Sequence, residues 1–475
     1  MTLFLKRALS GLTLLCFLSL GLSGQQIKRW TLKECIEYAI NHNYQAAQNR
    51  LQLDRNKASL MQSKGNVLPS LNGSANHTYN TGRRIDPYTN QFANSVVLSQ
   101  NLSLSGSLNL FSGLQNTHTI RAGQLAVKSS LAGNEQVNND IALNIASSYL
   151  QVLLTEELSL VASAQVELSK QQAGRARILY ESGKTAKGEM LQAEAQVAND
   201  ELNLVNARNR FLQAKLSLAQ SLTLESADEF EIEKPAHSEN PPDLPPFNAR
   251  EIYKAAAENF PAIKSAEWLY LSQEKLLKAA RAALSPSLSA FGGIGTGYSQ
   301  LSRTQVGTST QQQYIGEFQG SPIYVDVQIP VYEKTSFADQ WSQNFNRTVG
   351  FSLNVPIFNN FRVRSQIASQ KIALENARLQ KLITRNNLMR DIQTAWLDAK
   401  ASYEKYKAAE KNFSAQQESF QYVKDRYETG FINAFEFNTG NNLFYNSQSN
   451  LIQAKYEYVF RLRVLDYYMG KPIAF

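Results

Sequence analysis

The tripeptide Gly183-Lys184-Thr185 ends like a phosphate-binding loop, in which backbone amides cradle phosphate and the lysine reaches it. That loop needs a glycine where Ile178 stands and a strand before it, whereas the preceding residues read as helix. Gly293-x-Gly295-x-Gly297 lacks the spacing of a dinucleotide fingerprint and lies in an alternating run, where small residues ease the curvature of a strand. His42, His77, His118 and His237 are isolated, with neither paired spacing nor companion cysteines for zinc. No serine, cysteine or lysine has a neighbouring base that would make it a nucleophile. The sequence therefore predicts no enzyme, no metal site and no cofactor.

The 475 residues are 43% hydrophobic and 10% aromatic, too apolar for a disordered chain. Mean hydropathy of -0.34 is too polar for a bundle of transmembrane helices. The 48 basic and 40 acidic residues are dispersed without a run of like charge, so the net charge of +8 predicts no nucleic-acid partner. Residues 1–24 read as a signal peptide: Lys6-Arg7 open it, an apolar run follows, and Gly21-Leu22-Ser23 suits a signal peptidase. Cys16 falls inside that run, so the mature chain keeps only Cys35 and forms no internal disulfide. Beyond the leader no stretch of 18 apolar residues occurs, which leaves an exported chain either soluble or inserted as β-structure.

The chain repeats itself. Leu68-Pro69-Ser70-Leu71 returns as Ser285-Pro286-Ser287-Leu288, Ser107 to Phe111 as Ser352 to Phe358, and Tyr180-Glu181-Ser182-Gly183 as Tyr427-Glu428-Thr429-Gly430. Asn206-Ala207-Arg208 returns as Gln453-Ala454-Lys455. We read a duplication over 25–234 and 247–475, joined by a Pro-rich linker at 235–246. In each half, apolar and polar residues alternate over two stretches, 70–80 and 98–111, then 287–298 and 347–358. These predict two-faced strands of about ten residues, which fit a soluble sandwich or a membrane barrel equally well.

Helices separate these readings. The sequence predicts helices over 32–64, 114–180 and 187–222, and over 250–283, 363–427 and 434–469. The two longest are free of proline and extend about 100 Å each at 1.5 Å per residue. In the second, Ile392, Trp396, Ala399, Tyr403, Tyr406, Glu410, Phe413, Gln417, Phe420, Lys424 and Tyr427 step by four and three, and eight of the eleven are apolar or aromatic. That 3.5-residue period specifies helices packed side by side. Gly183 and Gly430 stand where each rod reverses. Four strands cannot close a barrel and open edges are forbidden in lipid, so two, three or four copies must combine.

The leader, the duplication, the strand-ending Val355-Pro356-Ile357-Phe358-Asn359 and the Tyr-x-x-Gly reversals resemble the TolC-like outer-membrane efflux proteins across essentially the whole mature chain. The resemblance implies an α+β membrane protein and a homotrimer. Its 12-stranded β-barrel, four strands per chain, would sit in outer-membrane lipid and continue into a long periplasmic α-helical barrel. It further implies a conduit of a tripartite efflux or secretion system, with a periplasmic adaptor and an inner-membrane RND or ABC-type transporter as partners. In that family, gate carboxylates follow the second glycine reversal. Glu436 takes the first such place, Thr439 the next, and Ile432 replaces the basic residue the family can carry there; Glu189 is the first-half equivalent of Glu436. Tyr180, Gly183, Tyr427 and Gly430 would form adaptor-contacting tips, with hairpin packing as the plainer role of the tyrosines. Residues 81–97 and 300–346 would be outer loops. Within the second, Ile323–Ile329 alternates like an additional strand, as a structured loop or, less simply, a fifth barrel strand. A class-different alternative is a secreted structural or adhesive coiled-coil protein that never inserts.

Overall fold

A computed structural model describes residues 29–86, 88–93, 96–226, 230–234 and 241–471; the predicted signal peptide at 1–24, His237 and residues 235–240 of the linker lie outside the described residues. The elements in chain order are β1 (Arg29–Trp30), α1 (Leu32–His42), α2 (Tyr44–Gly65), β2 (Ser70–Asn80), β3 (Arg84–Ile85), β4 (Phe92–Ala93), β5 (Val97–Phe111), α3 (Gln115–Glu181), α4 (Lys187–Ser221) and β6 (Glu231–Ile232). The second half holds α5 (Ala249–Asn259), α6 (Pro261–Ala282), β7 (Ser287–Ser299), β8 (Arg303–Phe318), β9 (Ser321–Lys334), α7 (Phe337–Gln343), β10 (Asn346–Asn354), α8 (Arg362–Glu428) and α9 (Ala434–Tyr468).

The chain forms two compact units, and each draws on both halves of the sequence. One comprises Arg55–Val127 and Trp268–Arg378; the other comprises the segment ending at Asp54, Lys128–Glu267 and the chain from Leu379 onward.

The first of these carries an antiparallel four-stranded sheet in the order β10-β7-β5-β2. Its register aligns the alternating residues across strands. Leu353 faces Leu288, Phe351 faces Ala290, Leu104 faces Ile294 and Ala75 faces Leu102. On the other face Ser70 meets Ser107, Ser74 meets Ser103, and Ser352 meets Ser289. A two-residue side-chain period makes this sorting automatic once register is set. β10 stops at Asn354, short of the sequence reading of 358, because Pro356 has no N–H to continue a ladder. Ile323–Ile329 does lie in a strand, β9, but β9 pairs with β8 in a separate two-stranded ribbon and does not join the sheet.

The second unit is helical around three buried clusters, two of them related and the third formed by Tyr406, Ala454, Tyr458 and Leu462. Of the related pair, one gathers Cys35, Ala39, Ile145, Tyr149, Leu153 and Leu218; the other gathers Ile252, Ala256, Ile263, Ile392, Ala399 and Leu465. Each sequence-predicted helix that opens a half is broken in two. α1 ends at Asn43, with ψ of 130°, and the Asn43 side chain then accepts the amides of Gln45 and Ala46 at 2.8 and 3.3 Å. α5 ends at Phe260, with ψ of 127°, because the residue before Pro261 is driven out of the helical region. Thr31 with Glu34, and Asn248 with Glu251, form matching capping boxes at the starts. The linker is pinned where it is described. Pro242 O accepts from Tyr458 Oη at 2.8 Å, Asp243 from Tyr403 Oη at 2.9 Å, and Phe247 O from Trp396 Nε1 at 2.9 Å.

Candidate channel wall and gate

The sheet exposes apolar side chains on one face. Val349 is 86% exposed, Phe351 70% and Leu71 69%, values that in a soluble protein would mark an uncovered binding surface. Aromatic residues border the strands at both ends. Tyr298, Phe337 and Trp341 form a chain of ring contacts at 5.4 and 5.3 Å beside the loops, and Phe358 meets Phe361 at 5.7 Å at the opposite end. Such borders match the interfacial girdles of membrane barrels. The other face is hydroxyl and amide, with Ser70–Ser107 and Ser74–Ser103 side-chain bonds at 2.9 and 2.7 Å. Phe291 is its aromatic exception and covers Gly350, where any added Cβ would strike the ring.

Loop residues tie down the end of β7. Asp86 is buried and accepts from Ser299 Oγ, from the Thr89 hydroxyl and from the Tyr88 and Thr89 amides. Burial opposes its ionisation, yet these donors outweigh it and hold the carboxyl below its ordinary range. Buried Gln340, on α7, bonds both the N–H and the C=O of Ser299 at 2.8 and 3.0 Å. The sequence offered no sign of either residue, since both act through tertiary contact with one strand end.

The helix reversals have the geometry their glycines require. Gly183 has φ of 73° and Gly430 of 81°, left-handed values that a β-carbon disfavours. Lys184 N bonds Leu179 O and Phe431 N bonds Arg426 O, both at 2.9 Å, closing each helix with the same motif. Tyr427 is stacked on Phe437 at 4.5 Å, and Phe437 leads through Phe420 to Phe444 and Phe413. Arg175 crosses from the first hairpin to the second: its guanidinium lies 5.2 Å from the Tyr427 ring centre and donates to Glu428 O at 3.2 Å. Burial raises the Tyr427 pKa; Arg175 opposes this and nearby Glu189 adds to it.

Of the residues singled out in the sequence, the structure thus brings Tyr427 and Glu189 into electrostatic reach and places Gly183 with Tyr180, and Gly430 with Tyr427, in single turns. Glu436 and Thr439 stand one turn apart on α9, both exposed. The Glu436 amide is capped by Asn433 Oδ1 at 2.9 Å, and the Thr439 hydroxyl bonds Phe435 O. Phe431 and Phe435, 79% and 65% exposed beside the second reversal, escaped the sequence reading. Their position just past a helix-ending glycine was the available signal.

Asp200 escaped it too. It is buried on α4 and accepts from Gln165 Nε2 at 3.3 Å and Gln196 Nε2 at 3.1 Å. Burial, the largest influence, raises its pKa above the ordinary 3.8 despite these donors. The folded chain then binds this proton more tightly than the unfolded one. Stability is therefore lost as pH climbs from about 3.8 through the raised value, and the full cost persists above it. Asp200→Asn is expected to raise the thermal midpoint relative to wild type at neutral pH, with the gain shrinking as pH falls. Melting curves across pH check this; a difference that does not change with pH would contradict it.

Among the described residues no group of three His, Cys, Asp or Glu side chains could hold a metal ion, and no helix is long and apolar enough to cross a membrane. A chain that combines a two-faced, aromatic-bordered sheet with helix pairs of this length defines a membrane-inserted channel protein. The profile of the family described as outer membrane efflux protein matches residues 35–223 and 252–471, one stretch in each half. The chain belongs to this outer membrane efflux protein family. The outer membrane is accordingly its location and conduction through that membrane its role.

Solved structures share the fold at low identity. CusC is 15% identical with a TM-score of 0.73, over 93% of this chain and 92% of that one. The CmeC outer membrane channel of Campylobacter jejuni is 16% identical with a TM-score of 0.72, over 92% and 85%. The open-state MtrE outer membrane channel of Neisseria gonorrhoeae is 18% identical with a TM-score of 0.71, over 93% and 89%. No curated protein sequence matches the chain.

Proposed function

We propose that three copies of the chain form the exit duct of a tripartite efflux or secretion system, carrying small molecules or secreted products from a periplasmic adaptor and an inner-membrane pump of RND or ABC type. The observation that carries this reading is the four-stranded sheet with one exposed apolar face, one hydroxyl-lined face and two open edges, β10 and β2. In lipid those edges must pair, and four strands from each of three chains make twelve, enough to surround a water-filled lumen. The polar face then lines the lumen and the apolar face meets lipid. A secreted coiled-coil protein would leave that apolar face uncovered, which disfavours the alternative. The duct itself performs no catalysis; selection rests on lumen width, lining charge and gating.

The helix reversals are the proposed periplasmic gate and docking tips. Tyr180 and Gly183, with Tyr427 and Gly430, shape the tips, and exposed Phe431 and Phe435 supply an apolar surface that an adaptor can cover. Glu436 from three copies forms a ring of carboxylates, with Thr439 one turn further and Glu189 on the neighbouring hairpin. The ring favours cations and its members repel one another, which assists opening once the adaptor holds the tips apart. Reconstituted protein is expected to conduct in discrete steps with cation preference, and Glu436→Ala to reduce that preference at low salt and much less at 1 M, where the screening length is about 3 Å. Reversal potentials check this. Identical selectivity of variant and wild type at low salt would remove Glu436 from the gate, and absence of discrete conductance would remove the duct.

A further inference from the structure

The two halves are related closely enough that one observed joint describes a second, unobserved one. The matching capping boxes place Thr31 over Asn248, a shift of 217 residues through the first helices, which maps Glu37 onto Lys254 and Tyr44 onto Pro261. The long helices match with a shift of 247, Gln115 over Arg362 and Glu181 over Glu428. Thr223 and Gly470, both of positive φ just past α4 and α9, obey the same shift.

Within the chain, the first half offers a groove between α1 and α3, and the second half fills one side of it. A cavity of 830 Å³ marks this joint, with Lys33, Glu37 and Glu135 on the groove side and Pro261, Lys264 and Lys471 on the incoming side. The incoming features are the elbow between α5 and α6 and the end of α9. Tyr467 from that end bonds Gln136 of α3 at 2.9 Å and Asp140 at 3.3 Å.

The equivalent groove of the second half, between α5 and α8, is open. Tyr253, Arg250, Lys254, Glu258, Arg385 and Met389 line 570 Å³ of it. Met389 is 44% exposed, and Arg385 Nε is buried without a hydrogen-bond partner. The equivalent elbow of the first half is equally uncovered, with Tyr44 at its apex 78% exposed.

We propose that this α5–α8 groove seats the α1–α2 elbow of the next copy, residues 42–47 with Tyr44 at the centre, together with the end of that copy's α4. The inference deepens the trimer reading and rests on it. Charge supports the choice of occupant. The in-chain groove, where Glu37 and Glu135 outnumber Lys33, receives Lys264 and Lys471, whereas the second-half groove, where Arg250, Lys254 and Arg385 outnumber Glu258, would receive Ala47 and Leu224 at those places, with the Tyr44 ring beside the guanidinium and ammonium groups. A second-half elbow, bearing Lys264, would meet three cations, Arg250, Lys254 and Arg385, against the single carboxylate of Glu258. The polar bond made by Tyr467 has a counterpart as well: Gln220 of the incoming copy and Asn387 of the receiving one, both exposed amides. First halves are thereby directed to second halves, which closes a ring by a repeated head-to-tail contact.

The test is cross-linking of the full-length protein in outer membranes by a short bismaleimide. The double variant Tyr44→Cys with Tyr253→Cys is expected to yield covalent dimers and trimers, and each single variant only monomers, since native Cys35 is buried. If the double variant remains monomeric on the gel while light scattering shows trimers in detergent, the groove assignment is overturned and the trimer stands. If light scattering shows single copies, the trimer reading fails and takes the groove with it. A charge variant gives an independent check: Tyr44→Lys is expected to lose the heat-resistant trimer and to regain it when combined with Lys254→Glu. Retention of the trimer by Tyr44→Lys alone, or failure of the second change to restore it, counts against the assignment.

Discussion

Phe351→Arg is expected to abolish assembly in the outer membrane, while Ser352→Arg, one residue away, leaves it intact. Phe351 lies on the apolar face of β10 opposite Ala290, and Ser352 lies on the polar face opposite Ser289. Arginine at the midplane of a membrane barrel costs about 2–4 kcal/mol, so a homotrimer bears roughly 6–12 kcal/mol, comparable to the whole stability of an ordinary domain. On the lumen side the same guanidinium remains in water. Heat-modifiable migration of outer-membrane extracts reads the outcome directly. Equal migration of Phe351→Arg and wild type would show that this face does not meet lipid.

Phe437→Ala is expected to loosen the second hairpin by about 3–5 kcal/mol, the usual cost of deleting a fully buried phenyl ring. Phe437 is 2% exposed, stacks on Tyr427 at 4.5 Å and lies 5.6 Å from Phe420, so its loss unseats both neighbours. Tyr427 in turn is the ring over which Arg175 reaches from the first hairpin. Faster amide exchange is expected across α8 and α9 on both sides of the reversal, and closed states of the reconstituted duct should become leaky. Phe435→Ala, which truncates a 65% exposed ring two residues away, should leave exchange unchanged. Equal exchange in the Phe437 variant and wild type would mean that the aromatic ladder does not hold the tip.

What the sequence made legible follows from where the information resides. Strand faces are written residue by residue in the alternation from Leu98 to Leu110, and pairing in register could only bring like faces together. The long helices were legible because no proline interrupts them, and their reversals because Gly183 and Gly430 permit positive φ. The breaks at Asn43 and Phe260 were not read. Pro261 could have revealed the second, but Asn43 acts by capping a helix whose own start carries no other mark. At the candidate gate, Tyr427 was visible through its place in the seam. Arg175 and Asp200 were invisible because their importance depends on which neighbour another helix presents. On exposed helices Arg and Asp are the commonplace residues, and only packing distinguishes a buried carboxylate from a solvated one.

The central claim is that copies of this chain close around a lumen. Single-particle electron microscopy of protein extracted in mild detergent tests it most directly. The account predicts particles with three-fold symmetry and a continuous central channel. Single-copy particles without a lumen would contradict it.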